Sequence, residues 1–279
     1  AFAARVPACW GIRAANLSTA ANKRSTLAVV RVCAWMSRFV PAVAVSCSAR
    51  AMELHRQYGY RCRFVVVPNG LDAASWRRDP VVRARMRGAL GLDAGQFVFA
   101  HASRADPLKD HATLARSFSQ VVEQVPKGAT LLLCGAGLAA GDPYVENLPF
   151  TPLARASVKA LGPREDLADI WNAADGFVLS SIGEGFPNVV VEAMASGIPC
   201  VVTDVGDSAE IVDGTGFVVA PSNPPALADA MVALSGMTDQ ARQRLGDAAR
   251  QRVGEHFTLG RMADGFRRVW TDVIAKGQR

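Results

Sequence analysis

From residue 96 onward, short apolar runs alternate with stretches whose apolar residues recur every three or four positions. Residues 96–103 (QFVFAHAS) and 130–134 (TLLLC) read as strands. Between them, 109–125 carries Leu114, Phe118, Val121, Val122 and Val125 along one helical face. A Gly/Pro-rich connection to Pro152 leads to a strand at 158–161, a helix at 164–174 and a strand at 176–180. The helix predicted at 187–196 opens with proline in its first turn. Strands at 199–205 and 216–220 follow, then helices at 224–234, 239–255 and 259–275. Near-continuous apolar strands alternating with helices predict a parallel sheet covered on both faces. That is an α/β, doubly wound Rossmann-like domain, whose ligands lie beyond the carboxyl ends of the strands.

Before residue 68 the pattern is sparser: a strand at 5–11, a helix at 23–39, a strand at 42–46, a short helix and a strand at 63–67. Val67-Pro68-Asn69-Gly70-Leu71-Asp72 then places a Pro and an Asn-Gly turn at the expected boundary. These elements are too few to close a domain of typical size, so 1–67 reads as the back portion of a first α/β domain. Apolar residues awaiting absent strands, Val43, Val45 and Val65, are expected to be exposed.

Composition narrows the classes. Half of the 279 residues are hydrophobic and 20% are charged, an ordinary globular balance. Six scattered cysteines form no C-x-x-C pair and four histidines show no zinc spacing, so reduced thiols are expected. The chain starts AFAAR, without Met and without a signal-peptide core, and its apolar stretch 27–45 is interrupted by Arg31 and Arg38. These features predict a cytoplasmic protein, entered partway through a longer chain. Net charge is +6, but residues 1–66 hold ten Lys or Arg against Glu53 alone. That asymmetry predicts an anionic partner for the first segment, a membrane surface or a phosphate-rich substrate, or else a merely solvated basic face. Nucleic acid is not among the expected partners.

The chemistry concentrates in two turns. In Glu184-Gly185-Phe186-Pro187-Asn188-Val189-Val190-Val191-Glu192, a strand runs through a loop into a helix. The backbone N–H groups of Phe186, Asn188 and Val189 are thereby turned toward the ligand crevice, an anion site suited to a diphosphate. Glu184 precedes that helix and Glu192 lies one turn beyond Asn188, where acids more naturally hold hydroxyls than the anion. Taken singly, each acid is better explained structurally, Glu184 by capping and Glu192 by solvation on the helix. The second turn, Ser103-Arg104-Ala105-Asp106-Pro107-Leu108-Lys109-Asp110-His111, sets two cations after the domain's first strand. His111 reads as a capping or packing residue. A competing fingerprint, Gly135-Ala136-Gly137-Leu138-Ala139-Ala140, fits G-x-G-x-x-A. Gly141-Asp142-Pro143 after it is expected to break rather than start a helix, and no acid ends the next strand, which argues against a dehydrogenase.

The E-x7-E pattern enclosing Gly-Phe-Pro resembles the donor-site signature of family 4 retaining glycosyltransferases of the GT-B fold. The resemblance implies that Glu184 contacts the transferred sugar and Glu192 the ribose hydroxyls, while Arg104 and Lys109 hold the pyrophosphate. It also implies that Gly162, Pro163, Arg164 and Leu167 cradle the nucleobase. By the same resemblance 68–256 is a complete nucleotide-sugar donor domain, and 257–279 is a helix returning to the first, acceptor-side domain. The implied activity moves a sugar from a nucleotide diphosphate-sugar to a sugar or lipid-linked acceptor, in bacterial surface polysaccharide or glycolipid synthesis. No metal or other cofactor is expected, there being no D-x-D in the chain. The family's Gly-rich turn and sugar-contacting His have no counterpart before Pro68, and His55 is assigned no role. Weak turnover is therefore expected of this chain alone. The alternatives are a non-catalytic nucleotide-sugar-binding module or an inactive fragment.

Overall fold

The structure is a computed structural model that describes residues 6–13, 17, 23–93 and 95–277. Its first part contains β1 (Ala8–Ile12), α1 (Arg24–Met36), β2 (Pro41–Ser46), α2 (Ala49–Gln57) and β3 (Phe64–Val66). Arg5, the start of the first predicted strand, lies outside the described residues. After α3 (Pro80–Ala89) come β4 (Phe97–Ala102), α4 (His111–Gln124) and β5 (Ala129–Cys134). Next are α5 (Pro143–Glu146), α6 (Pro152–Ala156), β6 (Val158–Gly162), α7 (Leu167–Ala173), β7 (Gly176–Leu179) and α8 (Asn188–Ala195). The chain ends in β8 (Cys200–Thr203), α9 (Ser208–Val212), β9 (Gly216–Val219), α10 (Pro224–Gly236), α11 (Asp239–His256) and α12 (Leu259–Gly277).

Both sheets are parallel. The first has the order β1-β2-β3, and the second β6-β5-β4-β7-β8-β9. Counted within the second sheet, that order is 3-2-1-4-5-6, the Rossmann arrangement, with its topological switch point between β4 and β7. Every residue of β4 and β5 is buried, because helices cover both faces. On one face Val98, Ala100 and Leu132 pack with Trp171, Phe177 and Met194. On the other, Phe99, Leu131 and Leu133 pack with Phe118, Met231 and Leu234. This two-residue alternation is what the uninterrupted apolar runs encode.

Two expectations are corrected. Val43 and Val45 are not exposed: they are 0% and 5% accessible, and Val65 is half-buried beside them. α12 covers this face with Val269 and Val273, and Arg63 pairs with Asp272 on its edge. The other face of the first sheet packs Ile12, Ala44 and Phe64 against Ala34 of α1. A helix more than 200 residues along the chain therefore supplies the cover that the local sequence lacks. The second correction is at Gly141-Asp142-Pro143, which starts a short helix. Asp142 accepts a hydrogen bond from the Tyr144 amide, and Pro143 occupies the first turn, where its missing N–H costs nothing.

The amino-terminal rim of the second sheet is held by ions. Asp175, just before β7, accepts hydrogen bonds from Arg83 (2.6 Å), Arg87 (3.3 Å) and the Val98 amide (2.9 Å). Arg87 also donates to the carbonyls of Ala173, Asp93 and Gln96. Both Arg87 and Asp175 are buried. α3, which carries the two arginines, was not among the predicted elements.

Candidate functional site

The carboxyl-terminal rim gathers the predicted chemistry. Lys109 ends a 3₁₀ turn, Pro107–Lys109, that Asp106 caps through the Leu108 amide. Its Nζ donates to Glu184 Oε1 at 2.6 Å, and Ser181 Oγ donates to the same oxygen at 2.6 Å. The side chains of Lys109 and Glu184 are 19% and 10% exposed. A charge pair this sheltered from water is worth more than one on the surface. With both donors on Oε1, the other oxygen of Glu184 takes no hydrogen bond among the described residues and is available to a ligand hydroxyl.

Two further bonds fix the two loops to each other, and a third fixes the second loop to β8. Ser180 Oγ donates to the Lys109 carbonyl, the Ile182 amide to the Leu108 carbonyl, and Thr203 Oγ1 to the Ser181 carbonyl. The glycine fingerprint also has its function here. Gly135 (φ +135°) presses so closely on Ser103 that a Cβ would lie 1.7 Å from the Ser103 carbonyl oxygen. The Ala105 amide donates to the Ala136 carbonyl, which seats the cationic turn on the end of β5. These glycines serve close packing between two loops rather than a dinucleotide.

Beneath the turn lies a network that sequence reasoning missed. His101 Nδ1 faces the Val178 carbonyl (2.9 Å), which makes that nitrogen the donor and leaves Nε2 an acceptor. His111 Nε2 then donates toward His101 Nε2 (3.2 Å) and Ser103 Oγ (2.9 Å), and its Nδ1 accepts from Tyr144 Oη (3.0 Å). Burial pushes the pKa of His101 down to about 3 and that of His111 to about 4, so both rings are neutral at physiological pH. A lone His inside the apolar run FVFAHA was the available signal.

The other predicted residues are spread along the same rim. Arg104 is exposed and pairs with Asp106 (3.0 Å). Phe186 packs edge-on against Phe257. Asn188 and Val189 form the first turn of α8, whose amides lack partners within the helix. The Asn188 side chain accepts from Asn69, which in turn accepts from Arg13. Gly162, with φ +66°, ends β6, where its carbonyl accepts from the Gly135 amide. Pro163 and Arg164 are exposed beyond it, with Arg164 bidentate to Asp166. The helix here starts at Leu167 rather than 164, and Leu167 packs on the core.

Glu192 borders a cavity of about 250 Å³ between the linker, α8 and α12, together with Asn69, Phe186, Val191 and Met262. Its carboxyl takes no hydrogen bond among the described residues, and burial pushes its pKa up to about 6. Among the described residues no three His, Cys, Asp or Glu side chains converge as a cation site. All six cysteines are free thiols.

Residues 96–236 match the family described as Glycosyl transferases group 1. The D-inositol 3-phosphate glycosyltransferase of Nocardia farcinica is 34% identical over 202 residues, covering 69% of this chain and 44% of that protein. The UDP-Gal:alpha-D-GlcNAc-diphosphoundecaprenol alpha-1,3-galactosyltransferase of Escherichia coli is 23% identical over 86% of this chain and 63% of its own. HepE of Anabaena, solved in complex with UDP, shares the fold with a TM-score of 0.86 at 26% identity, over 97% of this chain and 74% of that one. The chain spans about half the length of the curated relatives it matches, 44% and 50% of the first two. The two parallel sheets and the switch point are those of a GT-B fold. With the match covering 141 of its 279 residues, the chain belongs to the group 1 glycosyl transferases, the family its Glu184-to-Glu192 segment resembles.

Proposed function

We propose that the protein to which this chain belongs transfers a sugar from a UDP-sugar to a sugar or lipid-linked acceptor, with retention and without a metal. The observation that carries this is the sheltered Lys109–Glu184 pair, set at the switch point beside the amide end of α8. As the glycosidic bond breaks, negative charge grows on the departing diphosphate. Lys109, Arg104 and the α8 amides are the groups that stabilise it. Among the described residues the Arg104 side chain pairs with Asp106 alone, and with Arg104 exposed the pair is worth about 0–1 kcal/mol, so its transfer to a diphosphate costs little. Glu184 offers its free oxygen to the sugar, and Glu192 accepts from the ribose. Gly162, Pro163, Arg164 and Leu167 lie against the base. The UDP of the Anabaena structure and the UDP-Gal in the name of the E. coli relative support uracil as the base.

Calorimetric titration with UDP and UDP-glucose tests the assignment. Glu184→Gln should leave UDP affinity within about twofold and weaken UDP-glucose, whereas Glu192→Gln should weaken both. The Glu192 contribution should also titrate. Ribose hydroxyls donate to the ionised carboxylate, so wild-type affinity should fall as pH drops through about 6, and Glu192→Gln should flatten that fall. Reversed losses in the two variants would exchange or remove the roles.

The acceptor side of the proposal includes peripheral contact with an anionic membrane. Val29, Val32, Trp35 and Phe39, each more than half exposed, share the outer face of the α1 region, and exposed Arg24, Arg31 and Arg38 border it. Apolar side chains flanked by cations suit a lipid interface. No described helix is long and apolar enough to cross a membrane. The chain should co-sediment with vesicles rich in phosphatidylglycerol and lose that binding in Trp35→Glu. Equal binding to purely zwitterionic vesicles would sink the charge argument.

A further inference from the structure

We infer that Asp207 is a positioning residue that latches the first sheet onto the second and so couples their closure to the seat of Glu184. The latch lies outside the residues that touch donor in the proposal above.

α2 begins where β2 reaches the cleft, and its free amides point out of the first sheet toward the second. Ser48 caps the Ala51 amide locally, and the cap for the Ala49 and Arg50 amides comes from 158 and 157 residues away. Asp207 Oδ1 accepts from Ser48 Oγ (2.7 Å) and the Arg50 amide (3.1 Å), and Oδ2 accepts from the Ala49 amide (2.8 Å). Asp207 is only 6% exposed. A carboxylate in this position gains three donors together with the positive end of the helix. Arg50 adds a second strap, donating to the Asp204 carboxylate (2.7 Å) and carbonyl (3.3 Å).

The same short loop supports the donor side. The Asp207 amide donates to the Gly185 carbonyl (3.2 Å). Gly206 (φ +51°) lies so close that a Cβ there would sit 2.4 Å from the Glu184 carbonyl oxygen and 2.5 Å from that of Gly185. One face of residues 204–207 therefore holds α2, and the other holds the backbone of Glu184. Separating the sheets would break the three hydrogen bonds to the Asp207 carboxylate and free the loop on which Glu184 rests.

Amide hydrogen exchange on the ligand-free chain tests the latch directly. In the wild type the Ala49 and Arg50 amides should be protected. In Asp207→Ala they should exchange at least about tenfold faster, with β4 and β5 unchanged as the control for folding. Asp207→Asn, which keeps one acceptor oxygen, should fall between. Calorimetry then tests the coupling, which rests on the proposed donor site: Asp207→Ala should weaken UDP-glucose by about fivefold or more while UDP stays within twofold. Unprotected Ala49 and Arg50 amides in the wild type would overturn the latch, and equal losses for UDP and UDP-glucose would overturn the coupling. Failure of UDP to bind the wild type would count against the donor site and leave the exchange result to decide the latch.

Discussion

Lys109→Ala is expected to weaken UDP binding by about 1.5–3 kcal/mol, roughly ten- to hundredfold, and to leave uridine affinity nearly unchanged. The loss has two parts. One is the charge-assisted contact to the diphosphate. The other is the state of Glu184, which the substitution leaves sheltered and held by Ser181 alone. An uncompensated carboxylate there repels the incoming diphosphate. Removing it in turn should restore part of the affinity, so Lys109→Ala with Glu184→Ala should bind UDP more tightly than Lys109→Ala alone. Arg104→Ala, which breaks only an exposed pair in the free protein, should show no such rescue by Glu184→Ala. Isothermal titration of the wild type, Lys109→Ala, Glu184→Ala and their double gives the cycle, and strictly additive losses at 109 and 184 would show that the pair does not govern the site.

Asp175→Ala should cause the largest loss of stability, about 3–5 kcal/mol, read as a lower urea midpoint at unchanged slope. The substitution leaves the buried Arg87 guanidinium without its counter-ion, and takes one bond from Arg83 and the acceptor from the Val98 amide, all at once. Asp175→Asn keeps an acceptor oxygen and should cost less. UDP affinity of the folded fraction should be unaffected, because Asp175 lies at the rim opposite the ligand crevice. A loss below about 1 kcal/mol would mean that water replaces the carboxylate and that this rim is less dry than its burial indicates.

The second sheet was legible because its central strands β5, β4, β7 and β8 are buried on both faces, which turns topology into uninterrupted apolar runs. α3 was not, since its inward positions include Arg83 and Arg87, whose partners are a carboxylate and carbonyls rather than a core. The burial of Val43 and Val45 depends on Val269 and Val273, a contact no local pattern encodes. In the site, the residue types at 104, 109, 184 and 192 pointed to charge and hydroxyl recognition from their place on strand-to-helix turns. Their mutual geometry was hidden: that Lys109 meets Glu184 while Arg104 turns to Asp106 follows from how two loops 75 residues apart are tied by Ser180 and Ile182. Asp142 shows the opposite failure. There Gly-Asp-Pro reads as a breaker, although an acid followed by proline is also how a helix begins.

The division of labour between the two rims of the second sheet has an evolutionary reading. At one rim buried ions hold the strands at their amino ends, and at the other the loops carry the charges proposed to meet ligand. Substitutions that retune the loops for a different sugar draw on contacts that the opposite rim does not share, so drift in specificity need not erode the scaffold. A library confined to the loops after β4, β6 and β7 should therefore yield mostly folded proteins, whereas one of equal size around Asp175 should yield mostly insoluble ones.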